Sequence, residues 1–325
     1  MTDEIVFAPV IIPTLSRDKH LIRCIESLKK CKYASKTEIF ISVDFPVHEK
    51  YKKGYLNIKN YLSSEFHEFK KVHIYYQTQN LGAMNNIEFL FDRVSVGFDR
   101  FILSEDDNEF SYNCLEYLNK GLMLFEKDEN VLNICSVQED GPWKNMNETV
   151  MYIQTCPAYG LGCWVEKEKK LRNIKKNYFM EIGMNFSKIW KLFKTSKLCW
   201  QQLIEGILWK NNPIFSNGDT IYWCDTMRSI YAINENKYFI APQISKVRNW
   251  GFDGSGQNMK KTDINPLNMW TLDQNKDFEY KVNFREERVE QYNKYIDSSG
   301  CRIAKVYLMI ATIKYILFRL KGRLV

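Results

Sequence analysis

Three consecutive carboxylates, Glu105-Asp106-Asp107, directly follow the apolar run Phe101-Ile102-Leu103. The run reads as a buried strand. Acids at a strand's carboxyl end are placed to hold a hard divalent cation, which prefers oxygen ligands and bridges to phosphates. A solvated loop, or a helix start that favours acids, is the other reading. Asp44 closes another apolar run just before Phe45-Pro46, where it can accept an N–H from a base such as uracil or simply form a turn. Arg17, after the first run, can face a phosphate or a ribose, or be solvated. Asp219 and Asp225 flank Tyr222-Trp223-Cys224. An acid beside an aromatic platform suits a sugar, with the ring stacked and the carboxylate taking a hydroxyl proton. The alternative is Trp223 in a core, with Asp225 paired to Arg228 three residues on. In 249–256, rich in glycine, backbone N–H groups and Ser255 can close over a diphosphate, or the segment is an ordinary loop. Cys224 is a poor nucleophile candidate, because the four His, at 20, 48, 67 and 73, are all distant in sequence.

These residues need a scaffold, and the first 140 residues supply one by alternation. Strands are expected at 6–12, 38–43, 72–76, 100–104 and 131–137. Between them, helices are expected around Leu21, Ile25 and Leu28, through Tyr55, Ile58 and Leu62, over 83–94 and over 112–125. Repeated strand–helix units imply a Rossmann-like, mostly parallel sheet flanked by helices, an α/β fold whose ligands bind at the strands' carboxyl ends. Thr14 to Arg17, Asp44, Asn80 with Gly82, and Glu105 to Asp107 then share one edge. No glycine-rich phosphate loop follows the first strand, which argues against a dinucleotide dehydrogenase or a P-loop kinase. Beyond 141 the alternation stops and all eight tryptophans occur, with helices expected at 183–193, 198–209 and 219–232 and a flexible loop through Gly251, Gly254 and Gly256.

Composition is ordinarily globular, at 45% hydrophobic and 26% charged, so disorder is excluded. At 325 residues one large or two intimate domains are expected. The net charge of +7 is localised: residues 302–325 carry six basic residues and no acid, and the rest is neutral to within one charge. That is a terminal stripe rather than a nucleic-acid reading face, and no nucleic-acid partner is expected. Nine cysteines without a Cys-x-x-Cys spacing form no zinc pattern; Cys114, Cys135 and Cys163 read as buried thiols, which fits a reducing, cytoplasmic compartment. The acidic start, Met1-Thr2-Asp3-Glu4, does not read as a signal peptide.

Taken in order, the pieces resemble the GT-A-fold glycosyltransferases, most closely the N-acetylglucosaminyltransferase I type and bacterial relatives from surface-polysaccharide clusters. The resemblance covers roughly 6–260. It rests on 9–12 with Ser16-Arg17, on 41–44, and on 101–107 as a form of the Asp-x-Asp motif. It rests further on Gly160-Leu161-Gly162-Cys163-Trp164, on 223–228, and on Pro242-Gln243-Ile244-Ser245 with the glycine loop behind it. It implies a metal-dependent, inverting transfer of a hexosyl or N-acetylhexosaminyl group from a nucleotide sugar, a UDP-sugar being favoured, to a glycan or lipid-linked glycan in surface-polysaccharide synthesis. Asp107 would bind Mn2+ or Mg2+, with Glu105 and Asp106 on the sugar and ribose. Thr14, Arg17, Asp44, Asn80, Gly82, Gly162 and Ser255 complete the expected donor site, and Asp140, Trp223 and Asn249 the acceptor side. The family's usual base directly follows the Trp, where this chain has Cys224; Asp225 then takes the role by a one-residue shift, with Asp219 or Asp140 as alternatives. The expected divisions are 1–140 for the nucleotide-sugar half, 141–265 for the acceptor half, and a C-terminal extension over 266–325.

Residues 302–325 read as one amphipathic helix, with Ile303, Val306, Ile310, Ile313 and Leu317 on one side and Lys305, Arg319 and Arg323 on the other. Its longest uncharged run, 306–313, falls well short of the ~20 residues needed to span a bilayer. A helix lying on an anionic membrane surface is expected, which would place the protein at the inner face of the cell membrane; a helix docked on the protein's own core, or an oligomer contact, is the alternative. Two other functions compete. A sugar-1-phosphate nucleotidyltransferase would need a glycine-rich basic loop, and Pro13-Thr14-Leu15-Ser16-Arg17 has no glycine. A catalytically inactive GT-A domain serving as a carbohydrate-binding or assembly subunit is kept open by Cys224 and opposed by the intact acidic triplet.

Overall fold

The structure is a computed structural model. It describes residues 6–141, 143, 147–208, 223–256, 262, 265–299, 310 and 312–317. Strands β1 (Val10–Thr14), β2 (Glu38–Val43), β3 (Lys71–Tyr76) and β4 (Arg100–Leu103) pair in parallel, with β1 between β2 and β4. They alternate with helices α1 (Asp18–Lys29), α2 (Glu49–Leu62) and α3 (Gly82–Val94). The sheet continues through β6 (Val131–Cys135), β7 (Val150–Ile153), β8 (Leu161–Trp164) and β9 (Tyr238–Pro242). Its strand order is β3-β2-β1-β4-β8-β6-β9-β7, with β8 antiparallel to both β4 and β6, and β7 antiparallel to β9. The fold is therefore the expected α/β class, with a large, mostly parallel sheet flanked by helices.

The strands are apolar on both sides because both faces are covered, as parallel sheets require. Val10, Ile12, Ile39 and Ile41 pack under α1, α2 and α4 (Cys114–Leu124). Alternate residues Ile11, Phe40 and Phe101 pack on the other face with Leu90, Phe91 and Val94 of α3. In α1 the buried Leu21, Cys24, Ile25 and Leu28 recur at helical spacing. Gly54 of α2 lies against the chain after β1: a Cβ there would stand 1.9 Å from the Ser16 carbonyl oxygen, so only glycine lets α2 approach the turn that carries Arg17.

Past residue 141 the chain is more regular than its sequence suggested. The strands β7, β8 and β9 join the first sheet, so the expected halves meeting at 140 share one sheet. Helices α5 (Val165–Arg172), α6 (Lys176–Met184), α7 (Phe186–Thr195), α8 (Lys197–Leu208) and α9 (Asp225–Glu235) follow. The last four build a cluster of their own around Phe179, Ile182, Leu192, Trp200 and Ile230. The short α10 (Pro266–Met269) and α11 (Glu286–Ser299) come next, and Trp270, Phe278 and Tyr292 return to the main core. Among the described residues all cysteines are free, Cys114, Cys135 and Cys163 are buried as expected, and no helix is long and apolar enough to cross a membrane.

Candidate active site

The parallel order of β1, β2, β3 and β4 puts their carboxyl ends on one edge, and the acidic triplet sits there. A two-stranded ribbon fixes its other side. Strand β5 (Asn108–Phe110) pairs antiparallel with β10 (Val247–Asn249), opposing Asn249 to Asn108. This register brings the Asn249 amide onto Asp107, to which it donates a hydrogen bond, while the Trp250 N–H donates to the Asp107 carbonyl at 2.8 Å. From the β1 side Arg17 forks over the triplet, with Nη1 2.5 Å from an Asp107 oxygen and Nη2 on Asp106; the Thr14 hydroxyl donates to Asp106 at 2.8 Å. Gly251 closes the arrangement: a Cβ there would stand 2.3 Å from an Asp107 oxygen.

Three acids against one arginine leave uncompensated negative charge. Burial and the Asp107 charge push the Glu105 carboxyl up to about 8, against the pull of Arg17. Burial raises Asp106 as well, opposed by Arg17. Solvent nevertheless reaches Glu105, so this residue stands at the surface rather than inside the core. Among the described residues no three His, Cys, Asp or Glu side chains are grouped to hold a metal ion alone. The donor set is still that of Mn2+ or Mg2+: hard carboxylate oxygens with excess charge, which suit a cation shared between one or two protein acids and phosphate oxygens. Asp107 is the residue that would hold it, with Glu105 beside it. Binding a cation there favours ionised Glu105, so metal uptake is expected to release protons below pH 8, and affinity to rise with pH until about 8 and then level. Calorimetry of Mn2+ binding in buffers of different ionisation enthalpy measures that release.

The other expected donor residues divide into two groups. Asp44 is buried at the end of β2, and its two oxygens accept from the N–H groups of Phe45 (2.9 Å), Leu81 (2.8 Å) and Gly82 (2.9 Å) and from the Asn80 side chain (3.1 Å). A carboxylate has about four acceptor positions, so Asp44, Asn80 and Gly82 form a closed turn at the start of α3, and a base N–H would have to displace one of these donors. Ser255 bonds Asp253 at 2.6 Å and His20 at 3.2 Å, tying the glycine loop to α1. Within that loop Gly251 to Asp253 form a turn in which Phe252 is buried. Gly162 lies inside β8, where a Cβ would press on Ile134 and Leu122 at 3.3 Å, so its lack of a side chain serves sheet packing. Asn249, expected on the acceptor side, is instead a clamp on Asp107.

Next to the acidic floor is a cavity of about 190 Å3, lined by Asp225, Glu139, Tyr159 and Trp270 among others. Burial raises the Tyr159 hydroxyl, and the charges of Glu105, Asp225, Asp107 and Glu139 add to it, so Tyr159 lies near both the triplet and the cavity acids. Asp225 opens α9 and is exposed; one oxygen accepts the Thr226 N–H at 2.7 Å. The sequence-based alternative of an Asp225–Arg228 pair is overturned, because Arg228 is buried in a fork on Glu168 at 2.6 and 2.8 Å. Cys224 precedes the helix with its thiol pushed up to about 12, chiefly by burial, which suits no nucleophile. Trp223 is half-buried against Phe179 and Tyr231, at 5.8 and 5.9 Å between ring centres, and belongs to the helical cluster. Asp140 accepts from Thr271 at 2.8 Å and does not line the cavity, whereas its neighbour Glu139 does. Glu139 was missed; the one signal for it was its place at the end of a strand in Gln138-Glu139-Asp140. Asp219 and Tyr222 lie outside the described residues.

No family model and no curated protein matches this sequence. Among solved structures it is similar to a mannosyltransferase from Pyrobaculum calidifontis (PcManGT) in complex with GDP-Man and Mn2+, at 10% identity and a TM-score of 0.38 over 52% of this chain and 47% of that one. It is also similar to S. aureus TarS 1-349 in complex with UDP-GlcNAc, at 13% identity and a TM-score of 0.37 over 51% and 47%. The chain thus spans about half the length of the structures it matches. Likenesses this distant assign no activity, and the reading below rests on the site.

Proposed function

We propose that this protein is a metal-dependent, inverting glycosyltransferase of the GT-A type that takes a nucleotide sugar, with UDP-sugars favoured, and glycosylates a glycan or lipid-linked glycan in surface-polysaccharide synthesis. The observation that carries the reading is the acidic triplet at the carboxyl end of β4, held from both sides by Arg17 and Asn249 and left with excess negative charge. A divalent cation held by Asp107 together with the diphosphate would supply charge neutralisation as the nucleotide leaves. With a cation held by Asp107, Arg17 would be placed to face a phosphate, and Glu105 and Asp106 the sugar and ribose. The acceptor hydroxyl gives its proton to Asp225, which is exposed and lines the cavity beside the triplet.

Release of nucleoside diphosphate from a panel of UDP-, GDP- and CDP-sugars tests the reading. It is expected with Mn2+ for one nucleotide and to stop on chelation. In Asp225→Asn, turnover is expected to fall by about 10²- to 10⁴-fold with donor binding unchanged; a variant that keeps most of its turnover removes Asp225 from the role. The inactive-domain reading draws on Arg17 and Asn249, which already occupy both oxygens of Asp107, and predicts nucleotide-independent sugar binding with no release.

Membrane attachment at the inner face extends the proposal. Ile310, Ile313, Ile316 and Leu317 point outward, and Tyr315 ties the segment to the Gly183 carbonyl at 2.5 Å. Nearby α7 exposes Phe186 (71%) and Trp190 (47%), stacked at 6.3 Å, with Lys194 over Trp190 at 5.5 Å. Aromatic rings with a lysine rim suit an anionic lipid surface. The full chain is expected to sediment with phosphatidylserine-containing vesicles and a chain ending at Ser299 to lose most of that binding; equal binding by both contradicts the attachment.

A further inference from the structure

The cavity beside Asp225 is built for a ligand that the donor site does not account for. Three polar atoms on its lining have no partner: Gln138 Oε1, Thr155 Oγ1 and Trp270 Nε1. Gln138 and Trp270 are each 1% exposed, so bulk water does not satisfy them. Leaving buried polar groups unpaired is unfavourable, which marks a place where a ligand supplies the missing bonds. Glu139, partly buried, also lines the cavity, and burial raises its carboxyl. Asp225 is the second acid on the lining.

The ligand must therefore both donate and accept hydrogen bonds. The Trp270 N–H asks for an acceptor, which an ammonium lacks; the Gln138 carbonyl asks for a donor; two acids repel an anion. The aromatic walls of Tyr159 and Trp270 favour a ring with apolar C–H faces. The cavity's 190 Å3 is the room of roughly six waters at about 30 Å3 each, the size of one sugar ring.

We infer that this cavity receives one uncharged pyranose ring of the acceptor, with Glu139 bonded to a ring hydroxyl and so determining which sugar is accepted. The inference rests on the glycosyltransferase reading, and it assigns Glu139 to acceptor choice and Asp225 to the proton.

Saturation-transfer NMR of the full chain with free glucose, galactose, mannose, N-acetylglucosamine and N-acetylgalactosamine, each with and without UDP and Mn2+, tests it. At least one sugar is expected to bind saturably at millimolar concentration. Glu139→Gln is expected to weaken that sugar at least fivefold and Thr155→Val severalfold. Glu49→Gln, an exposed change on α2, is expected to leave it unaltered. Each variant is checked for an unchanged melting temperature, and either cavity variant is sufficient if the other does not fold. No binding of any sugar to the native chain, or binding unchanged in the folded cavity variants, overturns the inference and leaves a water-filled cavity. Calorimetry with nucleotide on the same protein separates the two ideas: nucleotide binding without sugar binding removes the cavity assignment alone. Sugar binding lost in Glu139→Gln, without nucleotide binding, keeps the cavity and removes the donor site.

Discussion

Asp107→Asn is expected to abolish metal-dependent nucleotide binding and to lower turnover by about 10³-fold, while the protein stays folded. The β4–β5 turn, Arg17 and the Asn249 amide converge on this carboxylate. An amide is nearly the same size but offers a hard cation one weak neutral oxygen in place of a charge. Losing one preorganised group aimed at developing charge typically costs about 10²–10³ in rate, and the cation's own contribution is several kcal/mol more. Stability should not fall, because the change removes one of three repelling acids. It should also bring the Glu105 carboxyl down from about 8, since the Asp107 charge is the largest cause of that rise after burial. Titration calorimetry and steady-state kinetics on the variant check both parts, and metal-dependent binding retained at native affinity would sink the assignment of Asp107.

The second large effect is on stability. Glu168→Gln is expected to destabilise the fold by about 3–5 kcal/mol, because it leaves the Arg228 charge buried with its partner gone. Arg228 lies one turn into α9 and Glu168 on α5, both almost wholly buried, and Asn133 of β6 bonds to both. The pair thus fixes the start of α9, and with it Asp225, against the sheet. At about 2–4 °C per kcal/mol the melting temperature should drop by roughly 6–20 °C. The pH dependence carries a sign. Burial works to raise the Glu168 carboxyl, but the charge and hydrogen bonds of Arg228 and a hydrogen bond from Asn133 hold it below the ordinary range. A lowered carboxylate contributes stability above its unfolded value of about 4.3 and loses it as pH falls through the folded value. The gap between native protein and variant should therefore be widest at neutral pH and shrink in acid. Thermal melts between pH 3 and 7 measure it, and equal melting temperatures at pH 7 would contradict the role of the pair.

The first sheet was legible because each strand is a short apolar run followed by a helix with apolar spacing. Strand β2 runs over Glu38–Val43 as expected, and α3 and β4 differ by a residue. The acidic edge followed from that order, since a parallel arrangement leaves the strand ends nowhere else to go. Strands β5, β7, β8 and β10 were not legible: each is three or four residues long and pairs antiparallel with a partner distant in sequence. The bond from Asn249 to Asp107 was hidden for that reason. Its role on Asp107 depends on a ribbon register spanning 141 positions, between Asn249 and Asn108, which no local pattern encodes. The packing role of Gly162 was not legible, because a glycine needed for strand packing looks the same in sequence as one that approaches a ligand. Of Glu139 and Asp140, adjacent acids at one strand end, only side-chain direction decides which lines the cavity.

The most direct measurement is calorimetric titration of the full chain with UDP, GDP and CDP, each with and without Mn2+. Binding of one nucleotide that requires Mn2+, releases protons below pH 8 and disappears in Asp107→Asn is the predicted result. A folded protein that binds none of the three, or binds one equally well without metal, would contradict the donor site at Glu105 to Asp107.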